Sequence, residues 1–185
     1  MNYFKYIINN WQEVLKTILN QCIILVWDTF DFILPEIIPL SPIREFVFDI
    51  FWKKGKNFYL RRGNRISNIG RLSFGNNCRM NRENLFQNGN MIIIGDGCRI
   101  GFRNLFLNAN HVENGMQRAN EKFYSKQIVI GKNVWITSNC TILPGTSIGD
   151  NVILSAGSVA KGRLESGWVY AGNPAVKVRR TKGVL

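Results

Sequence analysis

The sequence predicts a mainly β chain, a parallel β-solenoid of six-residue units entered through an α-helical extension. Three observations carry this expectation. Aliphatic residues fall every six positions at Ile130, Ile136, Ile142, Ile148 and Leu154, and each is followed four positions later by a small or β-branched residue: Val134, Cys140, Thr146, Val152 and Ser158. Residues 74–90 return twenty positions later as 94–110, with Gly, Cys, Arg, Asn, Leu, Phe, Asn and Asn in register. Helical periodicity is confined to the first third of the chain. A six-residue unit cannot bury its own apolar face, so it must stack on copies of itself.

The elements follow in order. Residues 4–23 place Phe4, Ile7, Trp11, Leu15, Ile18, Cys22 and their neighbours at helical spacing, with Asn9, Glu13, Lys16 and Asn20 opposite. The apolar run Cys22–Trp27 falls well short of the roughly 20 residues that span a bilayer. Pro35, Pro39 and Pro42 interrupt this pattern, and Ser41-Pro42 reads as an N-cap with proline at the first helical position, opening a second helix to about Lys53. Residues 1–57 therefore form a helical extension. It either packs on the domain or a neighbouring subunit, or anchors residues 1–40 at a membrane surface. The solenoid covers 58–180, with an inserted loop at 111–127, and 181–185 form a tail.

If three hexads close one coil, residues 18 apart stack, placing Ile130 on Ile148, Ile136 on Leu154 and Val134 on Val152. The 20-residue repeat is then a coil with two extra turn residues. Glycine follows the aliphatic position at 95, 101, 131 and 149, where it is expected to supply a backbone conformation other residues resist. Cys78, Cys98 and Cys140 share the small inward phase and read as core filler.

Composition narrows the function. The 185 residues carry a formal charge of +12 with only 19% charged side chains, and 45% are apolar. Bases and acids balance at six each over residues 1–60, so the excess lies wholly in the solenoid. Such a balance calls for an anionic partner, but no separate basic arm points to nucleic acid. Four cysteines form no Cys-x-x-Cys pair and His111 is the only histidine, so no metal site is expected. The first residues lack the basic n-region of a signal peptide. A cytoplasmic location follows, at the inner face of the membrane if the extension is an anchor.

The stretch Ile128–Val159, with its Ile-Gly-Lys-Asn-Val-Trp and Ile-Gly-Asp-Asn-Val hexads, and the turn Ala171-Gly-Asn-Pro-Ala175 resemble the bacterial hexapeptide-repeat acyltransferases. Within that family the likeness is to the O-acetyltransferases of galactosides, maltose, streptogramin antibiotics and surface polysaccharides. The resemblance implies a left-handed parallel β-helix, a homotrimer, acetyl-coenzyme A as donor and an active site between neighbouring subunits.

Acetyl transfer to a hydroxyl needs a base for the alcohol proton and donors for the oxyanion of the tetrahedral intermediate. Histidine suits the first task near neutral pH. His111 lies where the hexad register breaks, 17 residues after Ile94 and 24 before Trp135, the spacing of the family's catalytic base. The resemblance assigns Asn81 to the acceptor, and Asn84 and Glu113 are grouped with it. Gly89 replaces an acceptor-binding aspartate. By the same resemblance Trp135, Ser138 and Ala156 line the cofactor's arm, while Lys161, Arg179 and Arg180 meet its phosphates. The acceptor is expected to be a sugar hydroxyl of a surface polysaccharide or its lipid-linked precursor. A small soluble acceptor and a non-catalytic scaffold are the alternatives. A γ-type carbonic anhydrase is excluded, because its zinc needs three histidines.

Overall fold

Strands of two or three residues cannot stand as sheets alone, and this chain stacks them coil upon coil. The computed structural model describes residues 10–33, 41–68, 70–111 and 123–182. Three parallel sheets form the faces of a prism. Face one stacks Leu72–Phe74, Ile92–Ile94, Ile128–Ile130, Ser147–Ile148 and Arg163–Leu164. Face two stacks Tyr59–Leu60, Arg79–Met80, Arg99–Ile100, Trp135–Ile136, Ile153–Leu154 and Trp168–Ala171, then adds Val176–Arg180 antiparallel at its end. Face three stacks Arg65–Ile66, Leu85–Gln87, Leu105–Leu107, Thr141–Ile142 and Val159–Ala160.

The register is the expected one. Ile130 pairs with Ile148 and Ile136 with Leu154, while Phe74, Met80 and Phe86 sit on Ile94, Ile100 and Phe106. The inward aliphatic row and the small row at Cys78, Cys98, Val134, Cys140, Thr146, Val152 and Ser158 are buried. The thiols are core filler that also points at the coil above. Cys98 Sγ donates to Gly131 O at 3.0 Å and Cys140 Sγ to Ser155 O at 3.2 Å. Burial pushes the Cys140 thiol above its ordinary pKa, the reverse of what a thiolate nucleophile needs.

The glycine expectation needs correcting. Gly95 is not in the left-handed region; it is there because a Cβ would lie 2.7 Å from Gly131 O in the next coil. The left-handed corner of each coil falls two residues later, to Asn57, Asn77, Gly97, Asn133 and Asn151, at φ of 54°, 58°, 71°, 53° and 56°, a conformation glycine and asparagine tolerate.

Helix α1 (Trp11–Ile33) and helix α2 (Ser41–Phe51) close the open N-terminal end of the prism. Trp27 of α1 packs edge-on against Phe48 of α2 and against Trp52, at 5.6 and 5.5 Å between ring centres. Phe48 stacks on Phe58, and the aromatic file continues through Phe74 and Phe86 to Phe106. Polar ties fix the docking: Trp27 Nε1 donates to Asn64 O, Trp52 Nε1 to Asn68 O, and Gly63 N–H to the buried Asp31 carboxylate. Residues 4–10 of the expected first helix lie mostly outside the described residues. Its far end runs on to Ile33 because apolar side chains continue at helical spacing past Trp27. No described helix is long and apolar enough to cross a membrane.

Candidate functional site

The site starts from two interruptions of the solenoid. After Asn108 the chain leaves the third coil, at the corner between faces three and one, and resumes at Ile128. Ala109–His111 pairs antiparallel with Phe123–Ser125, with His111 opposite Phe123, so His111 stands at the base of a two-stranded excursion rather than in a plain loop. Buried Asn108 pins that base: its Nδ2 donates to Asn90 O at 2.5 Å, and its own carbonyl accepts Lys126 N–H at 2.9 Å. Glu113 and the His111 side chain lie outside the described residues.

Face two carries the second element. Its outward row reads Tyr59, Arg79, Arg99, Trp135, Ile153, Val169 and, across the antiparallel join, Arg179. Trp135 is 42% exposed on this row, as its position between inward Val134 and Ile136 predicts. Asn81 is half-buried beside it and shares one groove with Trp135, Arg61, Arg79 and Arg99. Ser138 and Ala156 lie one above the other at the corner of faces two and three, where Ser138 O accepts Gly157 N–H at 3.0 Å. The Ser138 N–H donates to no acceptor among the described residues.

From Trp135 to Arg179 is three strand steps, about 14 Å at the usual strand spacing. Arg180 stacks its guanidinium 4.2 Å over Trp168, and Lys177 sits 4.8 Å over the same ring while pairing with Glu165 at 2.7 Å. The Lys177 ammonium holds the Glu165 carboxyl below its ordinary range. Arg179 Nη1 donates to Arg180 O at 3.0 Å.

Two expectations are revised by this geometry. Asn84 is 1% exposed and its amide is consumed inside the coil stack. Its Nδ2 donates to Asn64 Oδ1 and Asn81 O, and its Oδ1 accepts from the N–H and Nδ2 of Asn104. A side chain so enclosed cannot reach an acceptor molecule, and its place is a buried asparagine ladder. Lys161 also leaves its expected cluster. It is exposed at the corner after Val159–Ala160, while Arg179 and Arg180 lie on the edge strand of face two, so one protomer does not gather them. His111 and Trp135 are likewise apart, because the excursion leaves at the corner opposite face two. The groove also gathers Arg61, Arg79 and Arg99, and the edge strand stacks on Trp168, none of which the hexad pattern singles out. For Arg79 and Arg99 the signal was present, since arginine recurs in register in the 20-residue repeat.

Residues 127–162 match the family model described as bacterial transferase hexapeptide (six repeats). A protein of Escherichia coli K12 named as a lipopolysaccharide biosynthesis O-acetyl transferase, WbbJ, is 43% identical over 56 residues, 30% of this chain and 29% of its own. The galactoside O-acetyltransferase of the same organism is 44% identical over 62 residues, 34% of this chain and 30% of its own. The chain thus spans less than a third of the length of the curated relatives it matches. Among solved structures, a maltose O-acetyltransferase from Clostridium difficile 630 superposes with TM-score 0.79 at 23% identity, over 95% of this chain and 91% of that one. A hexapeptide-repeat acetyltransferase from Vibrio cholerae, complexed with acetyl coenzyme A, gives 0.77 at 21%, over 88% and 89%.

Proposed function

We propose that this chain, whose residues 127–162 match the bacterial transferase hexapeptide model, is an acetyl-coenzyme A-dependent O-acetyltransferase of a sugar hydroxyl. The observation that carries the reading is face two itself. One groove holds Asn81 and Trp135, and a basic edge strand ends the same face three steps away. A long donor with a thioester at one end and phosphates at the other fits that order, its phosphates on Arg179 and Arg180 and its arm along Trp135, Ser138 and Ala156.

In the proposed reaction His111 takes the proton of the acceptor hydroxyl as the oxygen attacks the thioester carbonyl. The Ser138 N–H supplies a donor to the oxyanion that forms. Collapse of the tetrahedral intermediate breaks the carbon–sulfur bond, and the proton held by His111 passes to the departing sulfur. Cys78, Cys98 and Cys140 are buried inside the coil stack, out of reach of a donor on the outer face, which favours direct transfer. Because His111 and face two lie on opposite sides of one protomer, the site is complete only when a second copy presents its excursion to this face, and a homotrimer closes three such sites. Lys161, at the excursion's corner, then approaches the donor bound on a neighbouring subunit.

The acceptor is read as a surface polysaccharide or its lipid-linked precursor. Supporting this, α1 exposes Trp11, Leu15, Ile18, Leu19, Phe32 and Ile33 along one side while its other side plugs the solenoid. An apolar stripe of that kind suits peripheral contact with the inner face of a membrane. The acetyltransferase reading is tested by coenzyme A titration of wild type and His111→Ala. The variant should keep its coenzyme A affinity and lose about 10²–10⁴ in transfer rate. Wild type that binds no coenzyme A, or a variant at full rate, overturns the reading. For the membrane contact, Leu19→Glu with Phe32→Glu should shift the protein from membrane to soluble fractions without unfolding it; an unchanged distribution refutes it.

A further inference from the structure

The groove in front of Trp135 carries a charge that donor binding leaves unexplained. Arg79 and Arg99 are direct neighbours across a parallel ladder on face two, and Arg61 stands beside Asn81 one position further on. Together with Tyr59 and Trp135 they line a groove of about 300 Å³ that includes three guanidinium groups and no carboxylate. Like charges placed opposite one another weaken a sheet, whereas three other solenoid bases sit against carboxylates. Arg103 pairs with Glu83, Lys132 with Asp96 and Lys177 with Glu165. No ion pair forms at Arg79 or Arg99 among the described residues.

The position of these arginines separates them from the donor's phosphate end. Along the outward row, Trp135, Ile153 and Val169 intervene before Arg179. Face two therefore has two basic ends with an apolar middle. The far end serves the donor, and the near end adjoins Asn81, on the acceptor side of Trp135. A single carboxylate is satisfied by one bidentate arginine. The two facing guanidiniums of Arg79 and Arg99 match a group with more charge and more acceptor oxygens, and arginine is the side chain suited to phosphate.

We propose that this groove binds the phosphate-bearing end of the acceptor, which is a sugar linked through a phosphate or diphosphate rather than a neutral free sugar. The inference rests on the acetyltransferase reading and specifies its acceptor class. The diphosphate is carried by a nucleoside or by a lipid, and both present the same oxygens to Arg79 and Arg99.

The test uses the full chain saturated with coenzyme A, so that the donor's own phosphate sites are filled, and inorganic pyrophosphate as probe. Wild type should bind pyrophosphate with a salt-dependent affinity. Arg79→Gln/Arg99→Gln should weaken it at least tenfold while coenzyme A affinity and the oligomer stay unchanged. Arg79→Lys/Arg99→Lys should fall between, having kept charge but lost the fork. Acetyl transfer to a nucleoside diphosphate sugar and to a short-chain prenyl diphosphate sugar then tells the two carriers apart, with the KM of the active one raised by the glutamine pair. Coenzyme A binding with no arginine-dependent pyrophosphate binding overturns this inference alone. So does galacturonate binding in pyrophosphate's place, or dissociation of the oligomer by the glutamine pair, which would make the patch an intersubunit contact. Absence of coenzyme A binding in wild type instead removes the acetyltransferase reading itself.

Discussion

Replacing Asn84 by alanine separates a structural ladder from a ligand contact. The Asn84 amide makes four hydrogen bonds of 2.9–3.0 Å, two donated to Asn64 Oδ1 and Asn81 O and two accepted from Asn104. After truncation, Asn104 Nδ2 keeps Thr137 O at 2.8 Å, and Asn64 Oδ1 keeps the Asn84 backbone N–H at 3.0 Å. The buried Asn104 N–H is left without its acceptor. Such an orphan costs about 1–3 kcal/mol, and the remaining lost bonds bring the total to roughly 3 kcal/mol. For a chain of this size that corresponds to a melting temperature lower by about 6–12 °C. Thermal and urea unfolding at one fixed protein concentration, with exposed Gln87→Ala as control, measures it. The control should stay within about 0.5 kcal/mol of wild type. If Asn84→Ala melts with wild type and instead raises the acceptor KM, the ladder argument is wrong and a contact with acceptor is restored.

Three other outcomes are expected. Gly95→Ala should destabilise the middle coils by several kcal/mol, or about 3 by the usual cost of overpacking, because its Cβ meets the backbone of Gly131 at 2.7 Å; urea unfolding with an unchanged midpoint would refute the close approach. Trp27→Ala, which empties the aromatic plug, should cost about 3–5 kcal/mol and expose the N-terminal coils to proteolysis, and a protease pattern identical to wild type would count against the plug. The Asp96 carboxyl is held below its ordinary value, first by the Asn76 N–H it accepts and then by Lys132. Its folded pKa is therefore below the unfolded value of about 3.9, so its contribution is full above that pH and fades as pH falls through the lower folded value. Melting curves of wild type and Asp96→Asn should converge toward the acid end, and a difference independent of pH refutes the assignment.

Much of this protein is written in one dimension because a solenoid converts sequence period into spatial neighbourhood. Ile130, Ile136 and their hexad partners declare which side faces inward, and the intervals of 18 and 20 declare which residues touch, so the core and the outward place of Trp135 follow from counting. Counting does not reveal what a repeated residue is for. Asn84 and Asn81 look alike in the sequence, yet one is sealed inside a ladder and the other opens on a groove, since burial depends on which corner of the prism each occupies. Gly95 reads as a conformational glycine, but the separation of adjacent backbones, a tertiary quantity, is what excludes its side chain. Arg79 and Arg99 repeat in register, and only the stacking of coils turns that repeat into paired charges beside Trp135. His111 was marked by its broken register. That it stands opposite face two is decided by the corner at which the excursion leaves the prism.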